Sequence, residues 1–569
     1  MKKVIICGAG IGGLTVAHEL SKRNFDVTVY ERNDIVGGLA RSMYHTDPQM
    51  SYKYPVEYSW RIYGAEYKNL LRILNEIPLR EDQKKTVLSN LVTVFTFIFA
   101  RFDKKEVIFS KNNNLGEITR DFQKGDTRKI LNKILYCMTM STARMDSLDG
   151  FTWKEYCTDL SPEANKYLVR LMAPLLGMDP TYMSFPVIAR MVKMLLGGVW
   201  GGSSALYVMC KPTNDGWFDE WLEYLQNSSG VSIKINSEIK DFNMRDGKIH
   251  SITVQDKVTK EEKVEDADYF VCAMSVEAIA DIASKNKELL KVPALRNTIN
   301  LAKRCRQIQL SIGIFLDQGI VYPTKEKLVL ALPDTPWGIT IEPEDDIWCK
   351  AYCTDTRVKT FLAVAVCQTD SKGIVHDKPF IKCTESEIQD EVWAQICRSY
   401  HMSSIKTKDG GTIDTAKIIL FYIWDSYKFD KEKGLMDTWE PKFSNNIDSL
   451  SYQPSTTTEV PNLLFATAYT KTDRYIYCME AAAEAGTRAA NEIITQSNQA
   501  TNRSESVSKI YPYNASLPVF YPLVLIDNIL YKLRLPHLSR LTFNNSIGLV
   551  AVYVIVILGL ITLLLLKIF

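Results

Sequence analysis

Apolar and polar positions follow two rhythms in this chain, and the first change of rhythm comes near the N-terminus. Residues 4–7 (VIIC) form an uninterrupted apolar run, short enough to predict a strand buried on both faces. Helical spacing follows from Gly13, and a second strand over 27–30 (VTVY) ends on the acid Glu31. Residues 463–466 and 269–273, the latter entered by Asp268, predict further buried strands. Residues 231–242 and 248–255 alternate with period two around Arg245-Asp246-Gly247, which predicts short half-buried strands. Strand-like runs recur at 307–315 (QIQLSIGIF) and 360–366 (TFLAVAV). A helix is expected from Met479, where Ala481, Ala482, Ala483, Ala485 and Gly486 leave room for a close neighbour.

Other stretches follow a different logic. Residues 86–225 are helical in pattern and rich in aromatics and Met. Within them, 88–102 (LSNLVTVFTFIFARF) reads as a buried helix, with a membrane-dipping segment as the alternative. Residues 498–512 are polar and Ser/Asn-rich, a linker by composition. Residues 517–535 mix apolar positions with Pro518, Pro522, Lys532 and Arg534, which suits either a membrane surface or packing on the globular part. Residues 547–566 are twenty positions without a charge. As a helix they extend about 30 Å, enough to cross a hydrocarbon core, so a C-terminal transmembrane helix is expected. Lys532, Arg534 and Arg540 precede the run and Lys567 alone follows it, which would put the large domain on the cytosolic side.

The change of rhythm at the N-terminus carries chemistry. Between the first strand and the helix stands Gly8-x-Gly10-x-Gly12-Gly13, and Glu31 follows Gly13 by eighteen residues. Strand, glycine turn, helix and an acid at the end of the next strand are the parts of a dinucleotide-binding unit. Gly8 permits the turn, Gly10 lets backbone approach a pyrophosphate, and Gly13 lets helix and strand pack closely. The helix N-terminus offers N–H groups and a positive dipole end to phosphate, and Glu31 suits the hydroxyls of an adenosine ribose. A 2′-phosphate would be repelled there.

A second glycine pair follows at Gly37-Gly38-Leu39-Ala40-Arg41, just after Glu31-Arg32. This resembles the GG-x-x-R extension of the flavin-containing amine oxidase and phytoene desaturase superfamily. The segment ADYFVCA at 267–273 matches the strand of that superfamily that follows its adenine-contacting strand, here near Ile239. Residues 460–494 closely resemble its closing motif, in which a helix N-terminus, here Met479, points at the flavin. One departure stands out. Ala466-Thr467-Ala468 occupies the place of Ala-Gly-Asp, so the Asp that usually bonds the cofactor is absent. Glu57, Trp60 and Arg61, with Phe443-x-x-Asn446, resemble the hydroxysqualene dehydroxylase and carotenoid desaturase branch.

The resemblance implies an α/β fold. A Rossmann-like FAD-binding domain would be built from three segments, 1–85, 226–290 and 455–497. An α+β substrate domain (86–225 and 291–454) would be inserted, then a linker and membrane-proximal segment (498–546) and the transmembrane helix (547–566). It also implies FAD as cofactor, held by Gly8, Gly10, Gly12, Gly13, Glu31, Arg32, Gly38, Leu39, Arg41, Trp60, Arg61, Ile239, Ala468 and Met479. Trp337, Tyr475 and Tyr477 are lesser candidates for an aromatic wall, and Lys303 is the nearest lysine by order to one often found beside the flavin.

Composition narrows the function. At 569 residues the chain exceeds one core, and a net charge of +2 gives no electrostatic case for nucleic acid. Twelve scattered cysteines fit a reducing compartment, and the closest pair, Cys349 and Cys353, lacks the companions of a zinc site. The six histidines, His18, His45, His250, His376, His401 and His537, form no nucleophile or metal motif. The expectation is therefore that a cofactor carries the hard chemistry. No catalytic side chain is singled out. The implied reaction is hydride transfer from a hydrophobic, isoprenoid-type substrate to flavin. An amine oxidase and a tethered flavin-fold protein without turnover are the alternatives.

Overall fold

The computed structural model describes residues 1–569 except 111–118, 171–176, 180, 201–205, 229, 502–503, 514–517, 543–547, 549–553 and 555–569. The first apolar run is the centre of a five-stranded sheet. Its strands are β1 (Lys2–Cys7), β2 (Phe25–Tyr30), β3 (Val231–Lys234), β4 (Tyr269–Cys272) and β5 (Leu463–Phe465). The order across the sheet is β3-β2-β1-β4-β5 and every pairing is parallel. Strand β4 is buried along its whole length, as are Val4–Cys7 of β1. Continuous apolar runs are what a parallel sheet covered on both faces requires.

Helix α1 (Ile11–Ser21) makes the crossover from β1 to β2. Helix α2 (Lys68–Leu74) and helix α3 (Met479–Thr501) pack near it. The closest contact is between α1 and α3. A Cβ on Gly486 would stand 2.6 Å from both the Gly12 carbonyl oxygen and Thr15 Cβ. The small-residue helix expected from Met479 is thus present, and what it approaches is α1. A hairpin of Ser237–Arg245 and Lys248–Asp256 turns at Asp246 and Gly247, both with positive φ (49° and 72°), as a type I′ turn needs.

The second sheet has seven strands in the order Ile418–Ile423, Leu310–Leu316, Thr360–Val366, Ile339–Pro343, Leu328–Leu332, Thr96–Arg101 and Lys104–Phe109. Leu328–Leu332 and Thr96–Arg101 pair parallel, and the other pairings are antiparallel. Its faces hold the largest hydrophobic cluster of the molecule.

Three expectations are corrected. Residues 88–102 are not a helix: they enter Leu91–Val94 and Thr96–Arg101 as strands. Thr96, Ile98 and Ala100 are fully buried on one face, and Phe99 on the other is buried as well, so the run is apolar on both faces and hides its period-two rhythm. The polar stretch after α3 is docked as well: Asn491 takes the Ser508 N–H, Ser508 donates to Glu19, and Tyr511 N–H donates to Asn69. Third, no helix among the described residues is long and apolar enough to cross a membrane, so the expected C-terminal transmembrane helix is withdrawn from the fold. Residues 547–566, apart from Gly548 and Val554, lie outside the described residues.

Helix α4 (Tyr521–Lys532), after the docked polar stretch, buries an acid and exposes much of its apolar surface. Its acid, Asp527, is fully buried, taking the Ser141 N–H and the Arg144 guanidinium at 2.7 Å each. Leu525, Ile526 and Ile529 are exposed.

Candidate active site

The glycine turn is assembled from three distant parts of the chain. Gly8 has φ of +111°, and its N–H donates to the Tyr30 carbonyl of β2 at 2.8 Å. A Cβ on Gly8 would meet the Ala273 carbonyl oxygen at 2.6 Å, just past β4. One on Gly12 would lie 1.9 Å from the Ala466 carbonyl oxygen, just past β5, and one on Gly13 would lie 2.0 Å from the Gly8 carbonyl oxygen. Gly10 differs. Its missing Cβ faces open space with only Gly38 Cα nearby, at 3.9 Å. Gly10 and Gly38 together leave a cradle at the N-terminus of α1, whose first turn carries no acid.

Glu31 closes one end of this cradle. It accepts Ala9 N–H on Oε2 at 2.8 Å and Asn33 N–H on Oε1 at 2.9 Å. Burial raises its carboxyl above the usual value, against these two donors. Each oxygen retains a lone pair for a further donor. Ile239 is buried in one cluster with Cys7 and with Tyr30, the residue before Glu31. The turn, the acid and the cradle fit an FAD nucleotide.

Arg41 is buried and donates to the Gly38 carbonyl at 2.8 Å and to Glu440 at 2.6 Å. Its guanidinium also lies over the Tyr58 and Trp424 rings, 5.5 and 5.2 Å from their centroids. Arg32 reaches the same Glu440 at 3.4 Å. Burial works to raise the Glu440 carboxyl, and the two arginines outweigh it and hold it below the usual range. Glu440 carries no sequence motif, and the reading from sequence missed it. Leu39 packs, half-buried, against the core of the second sheet.

Trp60 and Arg61 face the second sheet. Trp60 Nε1 donates to Thr340 Oγ1 at 3.0 Å. Arg61 binds Glu57 at 2.6 Å, Thr213 at 2.7 Å and the Arg41 carbonyl at 3.2 Å. Lys442 lies near, fully enclosed, its Nζ 3.1 Å from Ser311 Oγ and 4.9 Å from the Tyr58 ring centroid. It has no carboxylate partner among the described residues, and burial lowers it from the ordinary 10.5 to about 7. Sequence order pointed instead to Lys303, which is exposed on the helix Pro293–Cys305. A buried lysine has no signature of its own in a single sequence.

The closing loop holds the remaining candidates. Ala468 and Met479 are half-buried against the cluster around α1. Thr467, in the place of the absent Gly, turns inward and pairs with Thr470 Oγ1 at 2.9 Å. Phe443 stacks on Tyr477 at 4.7 Å, and Tyr477 N–H donates to Asn445. Tyr475 lies under Arg190 instead, and Trp337 is sealed in the core against Phe380.

A parallel sheet with this strand order, a glycine cradle and an acid after the second strand define a dinucleotide-binding protein. Comparison with known proteins makes the class specific. The sequence profile of the flavin containing amine oxidoreductase family matches residues 11–494. The chain belongs to that family of FAD-dependent oxidoreductases, and FAD is its cofactor. It is 22% identical over 292 residues to a 15-cis-phytoene desaturase of Synechococcus elongatus, a match covering 49% of this chain and 58% of the relative. An oxidoreductase of Methanosarcina mazei superposes with a TM-score of 0.56 at 13% identity, over 85% of this chain and 99% of that one. Cyclohexylamine oxidase of Brevibacterium oxydans gives 0.54 at 14%, over 87% and 99%.

Proposed function

We propose that this protein is a desaturase-type oxidoreductase that removes two hydrogens from a hydrophobic, isoprenoid-class substrate. The observation that carries this reading is the alignment of half the chain with a phytoene desaturase. Bound FAD supplies the two-electron acceptor. The protein does the rest by position. The Gly8–Gly13 turn, with Gly10 and Gly38, would hold the pyrophosphate at the α1 N-terminus, and Glu31 with Ile239 would hold the adenosine end. Arg41 and Arg32 place positive charge behind the phosphates, their excess trimmed by Glu440. Trp60 and Arg61 would line the ring end, and the Ala468 loop with the Met479 N-terminus of α3 would offer it a positive dipole end.

Residues 1–85, 226–290 and 455–497 make up the FAD-binding part in this reading, and the seven-stranded sheet floors the substrate part. Anaerobic mixing of the purified yellow protein with polyene precursors and with amines tests this. Bleaching of the flavin band by the polyenes alone is expected, and bleaching by amines alone overturns the proposal.

A further inference from the structure

Between Arg61 and the second sheet lies a buried cluster that binding of the cofactor does not use. Glu57, Glu342 and Glu344 are at most 8% exposed, and with Arg61, Tyr63 and Lys211 they line one cavity of about 10 Å³. That is about the room one water needs. Glu57 is saturated: Arg61 holds one oxygen, and Thr213 N–H at 2.8 Å with its hydroxyl holds the other. Glu342 is not. Its Oε2 takes only the Arg61 N–H at 3.3 Å, and its Oε1 has no partner. The Tyr63 hydroxyl, fully buried on the same cavity, has none either. Two unpartnered polar groups facing a water-sized space are the setting of an ordered water.

Charge decides what the cluster holds besides water. Arg61 neutralises Glu57 and leaves Glu342 and Glu344 side by side in a buried place. Two buried carboxylates in contact cannot both remain ionised, so they share a proton. Burial first, and then the neighbouring Glu342, push Glu344 well up. Hydrogen bonds also tie the position of the cluster to the cofactor cradle. Arg61 donates to the Arg41 carbonyl, Arg41 donates to the Gly38 carbonyl, and Gly38 stands against Gly10. Thr340, the partner of Trp60, is on the same strand as Glu342.

We propose that Glu342 and Glu344, through one water in this cavity bonded to Tyr63, form a proton store coupled to the oxidation state of the bound flavin. The inference rests on the flavin reading above. Bound FAD would supply the acceptor for hydride from a substrate CH–CH pair, and the second hydrogen would then leave as a proton. That proton would form an O–H bond, by way of the water, on whichever of Glu342 and Glu344 is ionised in the shared pair. It would return to solvent past Lys211, a half-buried residue of the cavity lining.

Infrared difference spectroscopy tests this without substrate. Holoprotein reduced with dithionite is expected to show a protonated-carboxyl carbonyl band that is lost in E342Q and in E344Q. It should persist in E277Q, which alters a half-buried carboxyl on the helix Val276–Lys285, away from the cavity. Y63F, which keeps the carboxyls, should shift the band and slow proton uptake, read with a pH indicator, several-fold. A band unchanged in both glutamine variants, or none in reduced wild type, overturns the proposal. Protein that carries no flavin overturns the flavin reading instead. A pH titration of that apoprotein then decides the store by itself, with a carbonyl band present in wild type and absent in E344Q required.

Discussion

Glu31 does two tasks with one carboxylate: it pins Ala9 of the glycine turn and presents its remaining lone pairs to the cradle. Glu31→Ala should therefore weaken FAD binding by about 2 kcal/mol, a loss of roughly thirtyfold, as expected for a hydrogen bond to a charged group. Absorbance titration of apoprotein with FAD reads this directly, and unchanged affinity removes the ribose assignment. Lys442 permits a prediction with a sign. Its folded value of about 7 lies below the ordinary 10.5, so the native state binds fewer protons than the unfolded chain between those two pH values. Stability on this account rises with pH across that window, and the penalty is complete below about pH 7. Lys442→Met should stabilise the fold at pH 6 by on the order of 2 kcal/mol and by little near pH 10. Urea denaturation at the two pH values checks it, and an equal gain at both would refute it. The raised carboxyls of Glu57, Glu342 and Glu344 act oppositely. Their contribution to stability falls as pH rises from the ordinary carboxyl range toward their raised values.

At the scale of elements, α3 is held by two contacts that differ in kind. The first is steric. Gly486→Ala should cost about 2 kcal/mol, because overpacking against the Gly12 carbonyl outweighs the gain in helix propensity of roughly 1 kcal/mol. The second is electrostatic. Glu480 accepts the Asn69 and Leu70 N–H groups at the start of α2 and pairs with the buried Arg474 at 3.3 Å. Glu480→Ala leaves that arginine without its carboxylate and should destabilise by about 3–5 kcal/mol, measured by denaturant unfolding. Elements of this sort were legible where pattern and motif coincide: β1, the glycine turn, β2 with Glu31, and the Met479 helix. Residues 88–102 were not, because a short apolar run looks alike in a buried strand and a buried helix, and the partner strand that decides it lies some 230 residues on. Glu440 was invisible for a related reason. Nothing local distinguishes it, and its role comes from meeting Arg41 across 399 positions.

For the whole molecule, cofactor and fold are linked. FAD binds the native state, so apoprotein should be less stable than holoprotein by about 2.7 kcal/mol at a roughly hundredfold excess of FAD over its Kd. Thermal unfolding with and without added FAD measures the difference, and coincident curves would mean that the cradle holds nothing. One feature of the sheet reaches beyond the finished structure. Strand β1, at the very start of the chain, pairs with β4, and β4 with β5, whose residues begin at Leu463. The helix that seals α1 runs from Met479 to Thr501. A ribosome building this chain releases the centre of the sheet first and its last strand and covering helix more than four hundred residues later. At ordinary rates of about 5–20 residues per second, the apolar β1 and the bare face of α1 wait tens of seconds for their neighbours. The nascent chain exposes apolar surface of the kind chaperones cover throughout that interval, and a message cut short before Met479 leaves the face of α1 that the Met479 helix covers unsealed.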